Sequence, residues 1–202
     1  MERRTSEGYA EAAAELISRY EAVSSARLYS EMVHLWPEPA SSVSDIGAGT
    51  GRDAAWHAAR GCRVLAVEPA AAFREAGATL HPSPRIEWLD DSLPALVRVL
   101  ERRQTFDFAQ LSAVWQHLDD QQRQLAMPNL RAVTAPGGRL LLSVRHGPGA
   151  PGRPCFLASA EDAIELAHAN GFRLVFRRSA ASVQTINREA GVSWTWLAFA
   201  SS

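Results

Sequence analysis

Three glycines stand at alternating positions in the segment DIGAGTGRD (residues 45–53), directly after a short apolar run. Glycine weakens regular secondary structure, so three of them in five residues require a special reason. A strand, a glycine-rich turn and a helix N-terminus together form a nucleotide site, because bare backbone lets a ligand approach. The segment therefore predicts an α/β fold that binds a ligand at this turn.

Arg52 argues against two other kinds of glycine loop. A phosphate loop ends in Gly-Lys-Ser/Thr, whereas Gly51 is followed here by arginine. The dinucleotide fingerprint G-x-G-x-x-G would also require glycine at position 52. Asp45 precedes Gly47 by two residues, and its carboxylate would repel a pyrophosphate but attract an ammonium or sulfonium group. The loop thus favours a ligand that carries positive charge.

The chain after the loop alternates short apolar runs with helical patterns, which indicates a parallel sheet wound on both faces. We predict strands at 43–46, 63–67, 86–89, 106–111 and 139–144, and helices at 52–60, 70–78, 93–102, 119–133 and 159–170. The C-terminal part of the chain departs from this alternation, since two strand-like runs (172–180 and 192–200) are joined by polar residues without a predicted helix. An antiparallel pair should therefore complete the sheet.

Composition limits the domain organisation and the class of partner. The 202 residues suit a single domain, with residues 1–40 as an N-terminal helical cap and residues 41–202 as an α/β core. The helical pattern of 7–35 breaks near residue 24.

The net charge of −1 argues against nucleic-acid and membrane partners, and two cysteines make no disulfide framework or metal cluster. With no signal peptide and no apolar membrane span, we expect a cytoplasmic protein.

Acidic residues follow the second and third predicted strands, at the sheet edge where ligands bind. Glu68 lies 17 residues after Gly51, where a carboxylate can accept hydrogen bonds from both hydroxyls of a ribose. Asp90 and Asp91 end the third strand, although Asp91 can instead cap the following helix.

From about Tyr9 onward the chain resembles the class I S-adenosylmethionine-dependent methyltransferases, in five motifs that occur in order. DIGAGTGRD is similar to their first motif, AVEP to the ribose-binding motif and DDSLPAL to the adenine-binding turn. FDFAQLSAVWQHL resembles their fourth-strand motif, and LRAVTAPGGRLLLSV resembles the stretch that leads into their fifth strand. The resemblance implies a Rossmann-like, doubly wound sheet of seven strands in the order 3-2-1-4-5-7-6. That sheet is mostly parallel with an antiparallel C-terminal strand, and N-terminal helices cover the cofactor edge.

The resemblance also implies the cofactor S-adenosyl-L-methionine, its product S-adenosyl-L-homocysteine, and the residues that hold it. Asp45 would meet the amino group, Glu68 the ribose and Asp91 the adenine. The implied cofactor-binding residues are Tyr20, Asp45, Gly47, Ala48, Gly49, Gly51, Arg52, Asp53, Glu68, Pro69, Asp90, Asp91, Ser92, Leu93, Leu111, Ser112 and Trp115.

Two histidines are candidate catalytic bases, because a neutral imidazole can take a proton from an oxygen or nitrogen nucleophile. His117 follows the fourth strand and either acts as this base or packs beneath the cofactor; His146 follows the fifth. Trp115 either faces the sulfonium or belongs to the core. Trp194 and Trp196 share one face of the last strand and are expected in the core. The candidate substrate contacts are Trp115, His117, Arg145, His146 and Arg188.

Several substrate classes lack their signatures. The turn of amino-directed DNA enzymes is absent after the fourth strand, and the Pro-Cys pair at Cys155 follows the fifth strand instead. All 21 basic residues are arginine, which excludes a lysine-dependent ribose methylation. No carboxylate follows the fifth strand to complete a catechol-type metal site. We therefore expect a metal-free enzyme that methylates a small molecule or a side chain.

Two other functions remain open. The first is a non-catalytic domain that binds S-adenosylmethionine or serves as a scaffold. The second is an NAD-dependent oxidoreductase, which Arg52 disfavours.

Overall fold

The computed structural model describes residues 13–149 and 153–202. Seven strands form one sheet in the order β3-β2-β1-β4-β5-β7-β6, which confirms the predicted order. The strands are β1 (Ser42–Ile46), β2 (Arg63–Val67), β3 (Ile86–Leu89), β4 (Phe106–Leu111), β5 (Thr134–His146), β6 (Phe172–Ala181) and β7 (Ser193–Ser201). β1 to β5 are parallel, whereas β7 runs antiparallel to both β5 and β6.

Helices cover both faces of the sheet, as expected for short apolar strands that are buried on both sides. The α-helices are α1 (Ala13–Glu21), α2 (Ser25–Leu28), α3 (Arg52–Ala59), α4 (Ala71–Leu80), α5 (Val97–Glu101), α6 (Asp120–Val133), α7 (Ala160–Ala169) and α8 (Thr185–Glu189). Two 3-10 helices lie at Ser30–Leu35 and Trp115–His117. Asp119 and Gln122 form a capping box at the start of α6: the Asp119 carboxylate accepts the Gln122 N–H, and the Gln122 side-chain oxygen accepts the Asp119 N–H.

Two core layers enclose the sheet. On one face, α6 and α7 pack through residues such as Met127 and Ala163. On the other face, α3 and the N-terminal segment pack through Tyr29, Trp36 and Ala54. This second layer fixes the N-terminal segment beside the glycine loop.

Three predicted elements differ in extent. The helix predicted at 93–102 begins only at Val97, because Leu96 has a left-handed backbone (φ +47°) that cannot continue a helix. The polar connection between β6 and β7 contains the five-residue helix α8, which the sequence reading missed. β5 begins at Thr134 rather than at 139, since the chain pairs with Phe106 before a register shift.

The N-terminal helices break where expected. Ser24 caps α2 by accepting a hydrogen bond from the Arg27 N–H, so the chain turns sharply after α1. Tyr9 and the start of the predicted cap lie outside the described residues. Within 13–149 and 153–202, no helix has the length and apolar character needed to cross a membrane.

Candidate functional site

A cavity of about 560 Å³ opens at the carboxyl ends of β1, β2 and β4. Its wall is formed by the glycine loop, by residues after β4, by α1 and by residues between β6 and β7. Crevices at this edge of α/β sheets are where such folds bind ligands. The cavity is therefore the candidate site.

The three loop glycines are required by the backbone and by the packing around it. Gly47, Gly49 and Gly51 all have positive φ, at +74°, +57° and +75°. A Cβ on Gly47 would lie 2.5 Å from Val114, and one on Gly51 would lie 2.6 Å from Trp88. Gly51 lies outside the cavity wall and precedes α3. Gly47 and Gly51 thus make room for the side chains of Val114 and Trp88, and Gly47 lines the cavity as well.

Asp45 is the next-to-last residue of β1 and is one of the residues that line the cavity. It is 2% exposed, and its Oδ2 has no hydrogen-bond partner. Burial, together with the nearby Asp53 carboxylate, raises the pKa of Asp45 well above its usual range. A buried oxygen without a partner costs free energy unless a ligand supplies a donor, so this atom fits a cationic group such as an ammonium.

Glu68 follows β2 and fixes the glycine loop. Its Oε2 accepts the Gly49 N–H at 2.9 Å, and its Oε1 accepts the Ala70 N–H at 2.9 Å. Burial raises the pKa of Glu68 although both backbone bonds oppose the shift. Each oxygen has a second lone pair, so the carboxylate fits the two hydroxyls of a ribose. Pro69 lines the cavity beside it.

Arg52 and Asp53 form a buried ion pair in the cavity wall. The Arg52 guanidinium donates to both carboxylate oxygens at 2.9 Å. Burial would raise the pKa of Asp53, but Arg52 and the hydroxyls of Ser25 and Tyr29 hold it below its usual value. Both residues therefore join the N-terminal segment to α3.

A buried polar network extends from this pair beneath the loop. Gln110 Nε2 donates to Tyr29 Oη at 2.9 Å and lies 3.1 Å from Asp53 Oδ2. Gln110 Oε1 lies 2.9 Å from His57 Nε2, and burial lowers the pKa of His57. No sequence pattern predicted this network, since Tyr29, α3 and β4 are far apart in the sequence.

The residues expected at the adenine divide into two groups. Ser92 and Leu93 line the cavity, but Asp90 and Asp91 do not. The Asp91 carboxylate accepts the N–H groups of Ser92 (2.8 Å) and of Val99 (2.9 Å) in the first turn of α5, although the N-cap residue of that helix is Leu96 and not Asp91. Asp90 pairs with Arg74 at 3.4 Å. Both aspartates therefore stabilise the turn rather than face the cavity.

Four further residues that were expected to contact the cofactor or the substrate also lie outside the cavity wall. Trp115 is 1% exposed, and with Leu111 it belongs to the core. The His146 ring is turned to Thr195 Oγ1 at 2.8 Å, because alternation along β5 directs it away from the cavity. Arg188 donates to the carbonyls of its own loop. Ser112, Ala48 and Tyr20, by contrast, line the cavity.

His117 lines the cavity with both ring nitrogens engaged. Its Nδ1 lies 2.6 Å from the Pro154 carbonyl, and its Nε2 lies 3.3 Å from the Gln116 side-chain nitrogen. Burial, assisted by the charges of Arg153 and Arg145, lowers the pKa of His117 to about 4. The ring is therefore neutral at pH 7, with the proton on Nδ1 and the Nε2 lone pair accepting from Gln116.

Gln116 is a wall residue that the sequence reading did not select. It is 4% exposed, and its Nε2 donates to the Ala113 carbonyl at 2.6 Å. Its Oε1 is buried without a hydrogen-bond partner. No sequence pattern marks it, because the burial of a glutamine side chain depends on the packing of neighbouring elements.

Two arginines and the two β7 tryptophans complete the far wall. Arg145 donates to the Pro148 carbonyl and lies 5.4 Å over the Trp194 ring. Arg153 donates to Tyr20 Oη at 3.2 Å. Trp194 and Trp196 share a face, as predicted, and Trp196 is buried in the core while it also lines the cavity. In the described part of the chain, no group of three or more His, Cys, Asp or Glu side chains could hold a metal ion.

Comparison with known proteins agrees with this architecture. Residues 43–138 match the family model described as a methyltransferase domain. The fold is similar to that of the 1,6-didemethyltoxoflavin-N1-methyltransferase of Burkholderia thailandensis, solved with 1,6-didemethyltoxoflavin and S-adenosylhomocysteine bound. The TM-score is 0.69 and the identity 19%, over 96% of this chain and 84% of that one.

Two further solved structures show the range of proteins with this fold. A TehB-like SAM-dependent methyltransferase of Corynebacterium glutamicum has a TM-score of 0.65 and 19% identity, over 98% of both chains. The [4+2]-cyclase SpnF has a TM-score of 0.67 and 16% identity, over 87% of this chain and 80% of that one. A search of curated proteins found no match.

Proposed function

We propose that the chain methylates a small-molecule acceptor, because residues 43–138 match the methyltransferase-domain family model and the strand order of the sheet is that of solved methyltransferases. The methyl donor is S-adenosylmethionine, and the transfer is an in-line displacement that needs no metal. The proposal rests on two buried acidic residues, Asp45 and Glu68, which both line the cavity beside the glycine loop.

The two carboxylates suit the two ends of this donor. Asp45 Oδ2 is a buried acceptor without a partner, suited to the amino group, and Glu68 retains lone pairs for the ribose hydroxyls. S-adenosylmethionine supplies a methyl group already activated by its sulfonium sulfur. The protein therefore needs mainly to bind, orient and exclude water.

The residues after β4 perform the orientation. Val114 packs against Gly47 and so places the 112–118 segment beside the loop end nearest Asp45. His117 is proposed as a neutral wall residue that positions Gln116, rather than as a base, because both its nitrogens are engaged and its pKa is about 4. Ser92, Leu93 and Pro69 are proposed to contact the nucleoside.

Titration calorimetry with S-adenosylhomocysteine tests the donor site. We expect millimolar or tighter binding, and NADH serves as the matched control that should not bind. Absence of S-adenosylhomocysteine binding would contradict the proposal.

Labelled [methyl-13C]S-adenosylmethionine with a metabolite extract tests the reaction itself. A labelled product supports methyl transfer. Binding of the cofactor without any labelled product would instead support the non-catalytic domain.

A further inference from the structure

We propose that the methyl acceptor is an aromatic acid, whose ring packs against Trp194 and whose anionic oxygen group, a carboxylate or a phosphate, pairs with Arg145. Both residues line the cavity that holds the donor site. The assignment of this substrate class therefore rests on the proposed function.

The end of the cavity away from the donor is formed by β5, β7 and β6. Asp45 and Glu68, which are assigned to the donor, lie in β1 and directly after β2. In the sheet order β3-β2-β1-β4-β5-β7-β6, the last three strands lie on the other side of β4 from these carboxylates. Wall residues of β5, β6 and β7 are thus on the acceptor side.

Side chains of these three strands form one surface, which we call the tryptophan platform. Trp194 pairs with one residue of β5 and one of β6, and Trp196 pairs in the same way one step along. Cross-strand partners share a face of the sheet, and so do residues two apart along a strand. The members of the platform are Ser143, Arg145, Arg178, Ala180, Trp194 and Trp196, and all six line the cavity.

The aromatic surface that a substrate can reach on this platform belongs to Trp194. Trp196 is 5% exposed and packs edge-on against Tyr29, with ring centres 5.5 Å apart. Trp194, in contrast, is only half-buried. A flat ring packed against an indole buries a large apolar area and gains further from aromatic geometry. Trp194 therefore fits an aromatic acceptor.

Arg145 holds its guanidinium beside the Trp194 ring. Its Nε and Nη2 donate to the Pro148 carbonyl at 3.1 and 2.7 Å, and its guanidinium carbon lies 5.4 Å from the ring centre. These contacts orient a planar group that carries five N–H donors and matches the geometry of carboxylates and phosphates. An aromatic ring that carries such an acid can contact both residues at once.

The charges of the wall favour an anionic acceptor over a cationic one. Six arginines but only four carboxylates line the cavity in the described part of the chain. Asp53 and Glu31 pair with arginines, and the other two carboxylates are those assigned to the donor. Burial lowers the pKa of His117, and the charges of Arg153 and Arg145 lower it further, so their positive potential reaches the segment after β4. An anion is stabilised by this potential, whereas an ammonium is repelled.

Four probes of similar size test the charge preference in the wild-type protein: benzoate, phenyl phosphate, neutral benzamide and cationic benzylamine. Their dissociation constants are measured by ligand-observed NMR titration on the S-adenosylhomocysteine complex, in which the donor's own carboxylate already occupies its place. At least one anion should bind more tightly than benzamide, and the tighter anion identifies the acid group. Benzylamine should bind most weakly. Benzamide or benzylamine binding as tightly as both anions would overturn the assignment.

Arg145→Gln tests the proposed ion pair. It should lower the preference for the tighter anion over benzamide by about fivefold, since solvent weakens a charged hydrogen bond at a half-buried site. Arg177→Gln is the matched control: it removes the same charge from β6, but on the opposite face and outside the cavity wall. This variant should keep the wild-type preference. An unchanged preference in Arg145→Gln would overturn the role of Arg145.

Trp194→Leu tests the aromatic contact. It should weaken the tighter anion and benzamide by similar factors, because both probes carry the same ring. Unchanged affinity for both probes would overturn the role of Trp194.

Should Arg145→Gln fail to fold, the salt dependence of the wild-type complex decides instead. The affinity for the tighter anion should fall as salt is added, and that for benzamide should not; equal dependence would overturn the ion pair. Failure of both anions to bind an intact S-adenosylhomocysteine complex would overturn the acceptor class while leaving the methyltransferase function intact. Absence of S-adenosylhomocysteine binding would instead contradict the proposed function.

Discussion

The Glu68 carboxylate accepts the backbone N–H of Gly49 at 2.9 Å, although 19 positions separate the two residues. Its other oxygen accepts the Ala70 N–H, so one side chain joins the glycine loop after β1 to the turn after β2. The carboxylate thereby fixes the loop and faces the cavity at once. Its loss should affect both the loop geometry and ligand binding.

Glu68→Gln should weaken S-adenosylhomocysteine binding by at least about 1.5 kcal/mol, the lower end for a hydrogen bond to a charged group. The amide replaces one acceptor oxygen with a donor, which cannot accept from Ala70 or Gly49. Calorimetry gives the dissociation constant. Glu87→Gln, on β3 and outside the cavity wall, is the matched control and should bind normally. Equal affinities for wild type and Glu68→Gln would refute the role.

The affinity for S-adenosylhomocysteine should fall as the pH drops through the raised pKa of Asp45. The ligand's ammonium pairs with the ionised carboxylate, so binding requires the proton to leave Asp45. The affinity should rise with pH and level off once Asp45 is ionised in the free protein. Asp45→Asn should weaken binding and flatten this profile. 5′-Methylthioadenosine, which has no amino group on its sulfur side, should bind wild type and Asp45→Asn equally; a difference would point to a general loop defect.

Tyr29→Phe should lower the free energy of unfolding by about 1–3 kcal/mol, the cost of leaving a buried polar group unsatisfied. The Tyr29 hydroxyl donates to Asp53 at 2.6 Å and accepts from Gln110 at 2.9 Å. Urea denaturation measures the change. Ser30→Ala removes the exposed hydroxyl of the adjacent residue and should change the free energy of unfolding by no more than about 0.5 kcal/mol. Similar stabilities for both variants would show that the network adds nothing.

The His117 ring should titrate with a midpoint of about 4 in NMR spectra, and His117→Asn identifies its resonance. Because the folded protein holds this pKa below the ordinary value of 6.5, the unfolded chain binds the proton first as the pH falls. This residue's contribution to stability is therefore complete above pH 6.5 and declines between 6.5 and about 4. His117→Asn should show a weaker pH dependence in that interval. A midpoint near 6.5 would contradict the buried, engaged ring.

Much of the fold followed from local patterns. The mostly apolar runs 63–67 and 106–111 correspond to β2 and β4, because parallel strands covered on both faces need predominantly apolar residues. The strand order came from the resemblance, and the sheet confirms it. The five-residue helix α8 was missed, since a polar segment of that length has no distinct helical period.

The sequence by itself determined the sheet, the glycine loop and the acidic residues at its edge, since these depend on backbone conformation and local spacing. The tertiary structure decided which side chains face the cavity. Asp91 turns to backbone N–H groups, Trp115 enters the core and His146 turns to Thr195, whereas Gln116 lines the cavity. Side-chain direction depends on partners supplied by elements distant in sequence, and no local pattern contains them.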